Sequence, residues 1–241
     1  MRNLLTANIK RLKMNRSFWI TVIIMIGIEL MFGVMLMNQH MPMDNILFLS
    51  ILWIGILLSI FLSSFTGTEY HDGTIRNKII VGHKRNHIYL ASLLTGIAAA
   101  TIIYLAALFT GGIIGILFYE EPLHQIHEIL TAIILGWLAS VSYVSIFNLI
   151  GMISISKAKT SVISILIAFS LIFIGALCFS LLSGGENLVI QFLYEFNPFG
   201  QTIQAMGFSL ESVLKLIVYA LSLSGICNGI GLYVFSSKAL K

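Results

Sequence analysis

The side chains that could do chemistry within the long apolar runs of this chain are few. Glu29 is the only acidic residue deep inside such a run, and a carboxylate there is costly enough that it faces a bundle interior or a polar cavity. It could contact a cationic cargo, relay a proton, or bond a neighbouring helix while protonated, with Asn148 as a plausible partner. Glu29 and Asn148 are therefore our candidates for a path through the bundle.

Other reactive residues do not form a convincing metal or catalytic site. His83 and His87 have the four-residue spacing of a helical zinc pair, but they stand among cations, which repel a metal, and no third ligand is evident. A second group comprises Glu120, Glu121, His124, His127 and Glu128. It could bind a metal weakly, but we interpret it as a solvated polar loop. We predict no catalytic residue and no metal site.

The composition indicates a membrane protein. Of 241 residues, 58% are hydrophobic and only 10% are charged, whereas a soluble domain has about 25% charged residues. A helix needs about 20 apolar residues to cross a bilayer, and lipid leaves no partner for free backbone groups. Six runs qualify: 18–37, 46–65, 93–118, 129–152, 162–182 and 212–234. The predicted fold is an all-α membrane protein with six transmembrane helices in a single domain, residues 1–241.

Charge is distributed unevenly between the loops. Of the 14 Lys and Arg residues, all but Lys215 fall before the first run, after the second and fourth, or in the tail that ends with Lys238 and Lys241. The opposite loops carry acidic residues: Asp44, Glu120, Glu121, Glu128, Glu186, Glu195 and Glu211. The positive-inside rule predicts that both termini lie in the cytoplasm.

The N-terminal segment, residues 1–17, has Leu5, Ile9 and Leu12 at helical spacing among basic residues. This pattern predicts an amphipathic helix in the membrane interface. A positive flank that only fixes the topology is the alternative.

The polar hairpin at residues 68–89 is too patterned for a plain turn. Asp72 or Thr74 can cap a helix that Gly73 lets begin sharply, and Gly82 suits its end. Ile75, Ile79 and Ile80 are predicted to form an apolar face. The isoleucines could lie among lipid headgroups, or the helix could dock a soluble partner, with charges fixing the register.

The last external segment, residues 183–211, is too apolar for a solvated loop. Asn197-Pro198 interrupts it in the middle. Two short helices that dip back into the outer leaflet, or an ordinary pair on the membrane surface, fit the pattern equally well.

The stretch "TEYHDGTIRNKIIVGHKRNHIYLASLL" resembles the permease subunits of type-2 ATP-binding-cassette exporters, small six-span proteins common in Gram-positive bacteria. The matching positions are Glu69, Gly73, Thr74, Ile75, Arg76, Gly82, Lys84 and Arg85. The N-terminal helix and the last external segment also resemble that family.

The resemblance implies that the hairpin is a coupling helix that contacts an ATPase subunit. The implied docking residues are Glu69, Asp72, Gly73, Thr74, Ile75, Arg76, Asn77, Lys78, Ile79, Gly82, Lys84 and Arg85. The re-entrant element around Asn197, Pro198 and Phe199 would then be an external gate.

The resemblance also implies an assembly of two permeases, as a homodimer or a similar heterodimer, with two ATPases in a bacterial cytoplasmic membrane. The chain contains no G-x-x-x-x-G-K-[ST] phosphate loop, so ATP and Mg are expected in the partner and the chain is not itself an enzyme. We expect lipid around it and no nucleic acid. The expected cargo is an amphipathic or antimicrobial peptide, or a hydrophobic drug or toxin. The alternative is an intramembrane enzyme or a non-transport anchor.

Overall fold

The computed structural model describes residues 1–37, 39, 41–154, 156–185, 187–208 and 213–237, and within these ranges the chain is helical, without a strand. The helices are α1 (Arg2–Met14), α2 (Arg16–Met35), α3 (Met43–Ile46), α4 (Ile54–His71), α5 (Thr74–Ile80), α6 (Arg85–Phe118), α7 (Ile126–Ile153), α8 (Lys157–Leu182), α9 (Leu188–Phe196), α10 (Pro198–Met206) and α11 (Val213–Ser237). A short 3-10 helix, Ser50–Trp53, joins α3 to α4.

Six helical segments of the described chain are long and apolar enough to cross a membrane, which confirms the predicted number. They contain α2, α4, α6, α7, α8 and α11, and the second is a compound span, Met43–His71. Most are longer than the apolar runs, because backbone hydrogen bonding continues into polar flanks that hydropathy excludes. Helix α6 has 34 residues, or about 51 Å at 1.5 Å per residue, which exceeds a hydrocarbon core of about 30 Å.

The core lies where α2, α4, α6 and α7 meet. Small residues let these helices approach closely: at Gly136, an added Cβ would lie only 2.6 Å from the Tyr104 hydroxyl. Among the six spans, α4 is the most buried and α11 the least. Helix α8 packs mainly on α4, and α11 mainly on α7. Both keep broad apolar outer faces, as expected of helices in contact with lipid.

The alternating direction of the spans gives the bundle two different ends. We call the end with α1 and α5 the basic end, and the end with α3, α9 and α10 the acidic end. Several predicted residues lie outside the described residues: Glu186, Glu211, Ser212, Lys238 and Lys241.

Candidate functional site

Helix α5 is the short helix that the sequence predicts at the basic end. It begins after Gly73, which has the left-handed φ of 66°, and it is followed by Gly82 with φ 94°. Glycine takes these backbone angles without the steric cost that a Cβ brings. The predicted end at Gly82 is confirmed. The predicted side-chain cap is wrong, because Gly73 is the N-cap residue and neither Asp72 nor Thr74 caps the helix.

A buried carboxylate ties α5 to two other helices. Glu69, near the end of α4, is only 2% exposed, and its Oε1 accepts hydrogen bonds from Arg11 of α1 and from Lys78 of α5, the latter at 2.6 Å. Lys78 Nζ also donates to Asn8 Oδ1 at 3.1 Å. Arg11 donates to the Phe65 carbonyl and stacks over its ring, with Cζ 3.8 Å from the centroid. We call Asn8, Arg11, Glu69 and Lys78 the basic-end cluster.

The charges of this cluster are partly removed from water. Burial lowers the pKa of Arg11, and the opposing charge and hydrogen bond of Glu69 act to raise it. Removing one partner of such a buried pair leaves a charge without compensation. The cluster therefore holds α1, α4 and α5 together only while all of its charged members are present.

An apolar contact anchors α5 a second time. Ile75 is 1% exposed and packs in a cluster with Leu4, Ile88, Tyr89, Ala91, Met152 and Phe235. The predicted face of three outward isoleucines is therefore wrong. Ile75 and Ile79 share a face at i and i+4, but Ile80 is five positions from Ile75, about 140° around the helix. Ile80 consequently points outward and is 72% exposed.

The outer surface of α5 combines apolar and cationic groups. Ile80 and Val81 are exposed, at 72% and 76%, and the exposed residues around them are Arg76, Asn77, Gly82 and Lys84. We call these six residues the outer patch. At the same end, Met14 of α1 is also exposed, at 75%, beside Lys13.

The remaining predicted docking residues divide into three groups. Asp72 is exposed and pairs with the neighbouring His71, at 3.1 Å. Glu69, Ile75, Lys78 and Arg85 are engaged with the rest of the chain instead; Arg85 Nη1 donates to the Phe235 carbonyl at 3.3 Å. Gly73, Thr74 and Ile79 are partly buried beneath the outer patch. About half of the predicted set therefore supports the patch without forming it.

Sequence reasoning missed the part that α1 plays. The predicted apolar face was Leu5, Ile9 and Leu12, but the buried residues of α1 are Leu4, Asn8 and Leu12. The buried face is rotated because Asn8 turns inward to accept from Lys78. The helical spacing of Leu4, Asn8, Arg11 and Leu12 could have predicted this inner face. It does so only if polar side chains are accepted on the buried side of the helix.

The two predicted path residues do not meet. Glu29 is fully buried, as predicted, and its Oε2 accepts from the Ser50 backbone N–H at 3.0 Å. Asn148 accepts instead from the Ser92 hydroxyl at 2.9 Å. The predicted pairing is wrong because Glu29 lies six residues from the acidic end of α2, whereas Asn148 lies five residues from the basic end of α7.

Glu29 has a local structural role that the sequence does not reveal. It contacts the backbone at the start of the 3-10 helix, where the compound second span is interrupted. Gly111 of α6 leaves room for it, since a Cβ there would lie 2.7 Å from Glu29 Oε1. The carboxylate thus satisfies a backbone N–H that the interrupted helix leaves without an intrahelical partner.

The residues of the predicted gate lie at the junction of α9 and α10. Asn197 is 6% exposed; its Oδ1 accepts from the Phe199 backbone N–H and its Nδ2 donates to the Leu171 carbonyl, both at 2.9 Å. Leu171 lies 11 residues before the end of α8, or about 16 Å along that helix. Pro198 opens α10, and Phe199 packs against Gly175 of α8.

Another buried carboxylate lies beside this junction. Glu195 of α9 is 3% exposed, its Oε1 accepts from Gln191 Nε2 at 2.9 Å, and its Oε2 lies 2.5 Å from Lys215 Nζ of α11. Lys215 is the one basic residue that departs from the charge bias, and the pairing accounts for its position.

No metal site is evident. Within the described residues, no group of three or more His, Cys, Asp or Glu side chains is placed to hold a metal ion. At the acidic end, His124 donates its backbone N–H to buried Asp44 at 2.9 Å, and its Nδ1 lies 2.6 Å from the same carboxylate oxygen. This pair ties the α6–α7 connection to α3.

The chain matches no protein-family model, and no curated protein sequence is significantly similar to it. A function for the chain therefore rests on the geometry of the outer patch and on the resemblance of the hairpin.

Proposed function

We propose that the chain is the membrane-spanning subunit of an ATP-driven exporter and that α5 docks a separate ATPase subunit. The observation that carries this proposal is the construction of α5: one face presents Ile80 and Val81 inside a cationic rim, and the other is fixed to the bundle by Glu69 and Ile75. Two ATPases, which bind ATP and Mg, and a second copy of this chain or a similar permease complete the assembly.

The outer patch has the chemistry of a docking surface. Two adjacent exposed aliphatic side chains supply apolar area, and Arg76 and Lys84 supply charge that fixes the register of a partner. A complementary partner offers a shallow apolar pocket with acidic residues at its rim. Lipid headgroups could also receive these residues, and the experiment below separates the two environments.

The attachment of α5 is suited to the transmission of force. A helix of only seven residues is marginal by itself, so its position depends on what it packs against. The basic-end cluster connects it to α1 and α4, and Ile75 connects it to α6, α7 and α11. A displacement of α5 by a partner therefore reaches several spans at once.

The orientation follows from the charge bias. With the basic end in the cytoplasm, the outer patch faces the compartment that contains ATP. Helix α1, whose outer face carries Lys10 and Lys13, then lies along the cytoplasmic interface.

Helices α9 and α10 are proposed to re-enter the outer leaflet and to close the external mouth. The hydrogen bond from Asn197 to Leu171 supports this arrangement, because it lies about 16 Å from the end of α8. Asn197, Pro198 and Phe199 would form the turn at the deepest point of the re-entrant pair. The proposed cargo is an amphipathic peptide or a hydrophobic drug or toxin, which fits spans with few polar groups.

Co-purification tests the docking claim. The chain is expressed together with the reading frames that adjoin its own, purified in detergent, and assayed for a bound P-loop ATPase and for ATP hydrolysis. Ile80→Asp with Val81→Asp should abolish both, and Arg76→Glu with Lys84→Glu should weaken binding at least about tenfold, which corresponds to the loss of about 1.4 kcal/mol.

A matched control places the same change at the other end. Leu123 and Ile126 are 74% and 77% exposed at the acidic end, so Leu123→Asp with Ile126→Asp should leave ATPase binding unchanged. Undiminished binding and turnover in the Ile80/Val81 variant would contradict the proposal and favour the lipid environment for α5.

A further inference from the structure

A cavity of 660 Å³ opens at the acidic end between the end of α8, α9 and α10. Its lining residues are Phe179, Leu182, Ser183, Gln191, Tyr194, Glu195, Ile203, Gln204 and Gly207. Its volume lies within the range of about 300–1,000 Å³ that small-molecule sites occupy. Its mixture of aromatic and aliphatic walls with a few polar groups is also typical of such sites.

One polar group of the lining has no partner in the described part of the chain. The Nε2 atom of Gln204 is buried and makes no hydrogen bond there. A buried amide donor without an acceptor costs about 1–3 kcal/mol. A ligand that presents an acceptor oxygen to Gln204 would recover that free energy.

The charge of the cavity is already balanced. Glu195 is 3% exposed, but its Oε2 pairs with Lys215 Nζ at 2.5 Å and its Oε1 accepts from Gln191. A cationic ligand would have to compete with Lys215 for this carboxylate. The acidic loops alone favour cationic cargo, but the cavity favours a group that is neutral where it meets Gln204.

We propose that this cavity binds an amphiphile with a carbonyl oxygen next to an apolar chain, the oxygen accepting a hydrogen bond from Gln204 Nε2. The apolar part lies against Phe179, Leu182 and Ile203, which line the same cavity. Amide groups of peptides and ester groups of lipids share this chemistry. That the ligand is cargo rests on the proposed exporter function, whereas the binding itself requires no ATPase.

Cysteine protection tests the site on the complete chain purified in dodecyl maltoside, a detergent without a carbonyl group. Ser183 is exposed at the rim of the cavity, so Ser183→Cys reports occupancy through its rate of alkylation by a polar maleimide. Leu123→Cys is the control reporter, since Leu123 is exposed at the same end and does not line the cavity. The native Cys178 and Cys227 are buried.

Three probes separate the possible ligands. N-octanoyl-leucinamide carries amides, dihexanoylphosphatidylcholine carries esters, and octyltrimethylammonium carries a cation without a carbonyl. At least one carbonyl probe should slow alkylation at position 183 about tenfold at saturation, with no change at position 123. Protection by the first probe alone identifies peptide-like cargo, and protection by the second alone identifies lipid.

Variants of Gln204 test the hydrogen bond itself. In the Ser183→Cys background, Gln204→Leu removes the hydrogen-bond donor. Gln204→Glu keeps the size of the side chain, but its ionised carboxylate can only accept hydrogen bonds. Both should weaken protection by the carbonyl probe about tenfold, as the loss of one buried hydrogen bond predicts, and Gln204→Glu should instead gain protection by the ammonium probe. The proposal would be overturned if all three probes protected position 183 equally, or if none of them protected it. It would also be overturned if the carbonyl probe protected both Gln204 variants as well as it protects the parent chain. None of these results depends on ATPase co-purification, so the two proposals fail separately.

Discussion

The two ends of the bundle each contain a buried carboxylate paired with a basic side chain, but they are built differently. Glu69 at the basic end binds two cations from two other helices, and the neighbouring space is filled by the Ile75 cluster. Glu195 at the acidic end pairs with one lysine, which is 40% exposed, and borders a cavity of 660 Å³. The first arrangement fixes a helix in place, and the second leaves room beside one.

This difference matches what each end would have to do in an exporter. A coupling helix transmits a displacement only when its contacts with the spans are stiff, and close packing together with paired charges supplies that stiffness. A gate must open and a binding site must admit a ligand, and both are easier where packing is incomplete. Matched changes at the two ends should therefore have different effects.

Removing the carboxylate of Glu69 is expected to have the largest effect. Glu69→Gln leaves Arg11 and Lys78 partly buried without an anion, and breaking such a pair costs about 3–5 kcal/mol in the free energy of unfolding. The measurement is chemical denaturation of the purified chain in micelles. Asp72→Asn is the control, because that carboxylate is exposed and should cost less than about 0.5 kcal/mol. Equal losses in the two variants would contradict a stiff basic end.

Truncation of Ile75 tests the apolar half of the same anchor. Ile75→Ala should cost about 2–4 kcal/mol, because it leaves a cavity in a fully buried cluster. Ile80→Ala, at the last residue of the same helix, should change the free energy of unfolding by no more than about 0.5 kcal/mol because Ile80 is exposed. In the co-purification experiment the order should be reversed, because Ile80→Ala should weaken ATPase binding more than Ile75→Ala does. A greater loss of stability from Ile80→Ala would show that the orientation of α5 is wrong.

The sequence predicts the spans and the short helix well, for physical reasons. Six apolar runs of bilayer length have few other stable structures in lipid, and Gly73 and Gly82 mark positions where only glycine adopts the backbone without strain. The sequence does not predict which side of α5 faces inward. A protein core, lipid and a docking pocket all accept isoleucine, so hydropathy cannot separate Ile75 from Ile80.

The candidate site was harder to predict because its contacts are distant in sequence. Arg11 and Glu69 are 58 residues apart, and each has an obvious alternative environment at a membrane interface. Glu29 shows the same difficulty: its burial follows from one residue, but its partner is a backbone N–H exposed by an interrupted helix. No side-chain pattern in the sequence indicates that partner, so the sequence favours Asn148, a polar side chain in another span.

A double-mutant cycle at each end compares the two ion pairs directly. The coupling energy between Glu195→Gln and Lys215→Met should be about 1 kcal/mol, because Lys215 is 40% exposed and water screens the pair. The coupling between Glu69→Gln and Lys78→Met should be about 2–3 kcal/mol, since Lys78 is only 13% exposed. Denaturation of the four variants at each end supplies both energies. A larger coupling at the acidic end would reverse the comparison.

The smallest expected effect is that of salt, which should enlarge the difference between the two coupling energies. At about 1 M salt the Debye length falls to about 3 Å, which screens exposed charges far more than buried ones. The Glu195–Lys215 coupling should then fall by about half, because solvent ions reach the exposed lysine. The Glu69–Lys78 coupling should change by no more than a few tenths of a kcal/mol, since both side chains are largely buried. Repeating the two cycles at low and high salt measures this difference, and the cycle removes the general effect of salt on the denaturant and the micelle. If both couplings fell by the same fraction, the basic-end cluster would be as open to solvent as the Glu195–Lys215 pair, and the stiffness assigned to it would have to come from the Ile75 contacts alone.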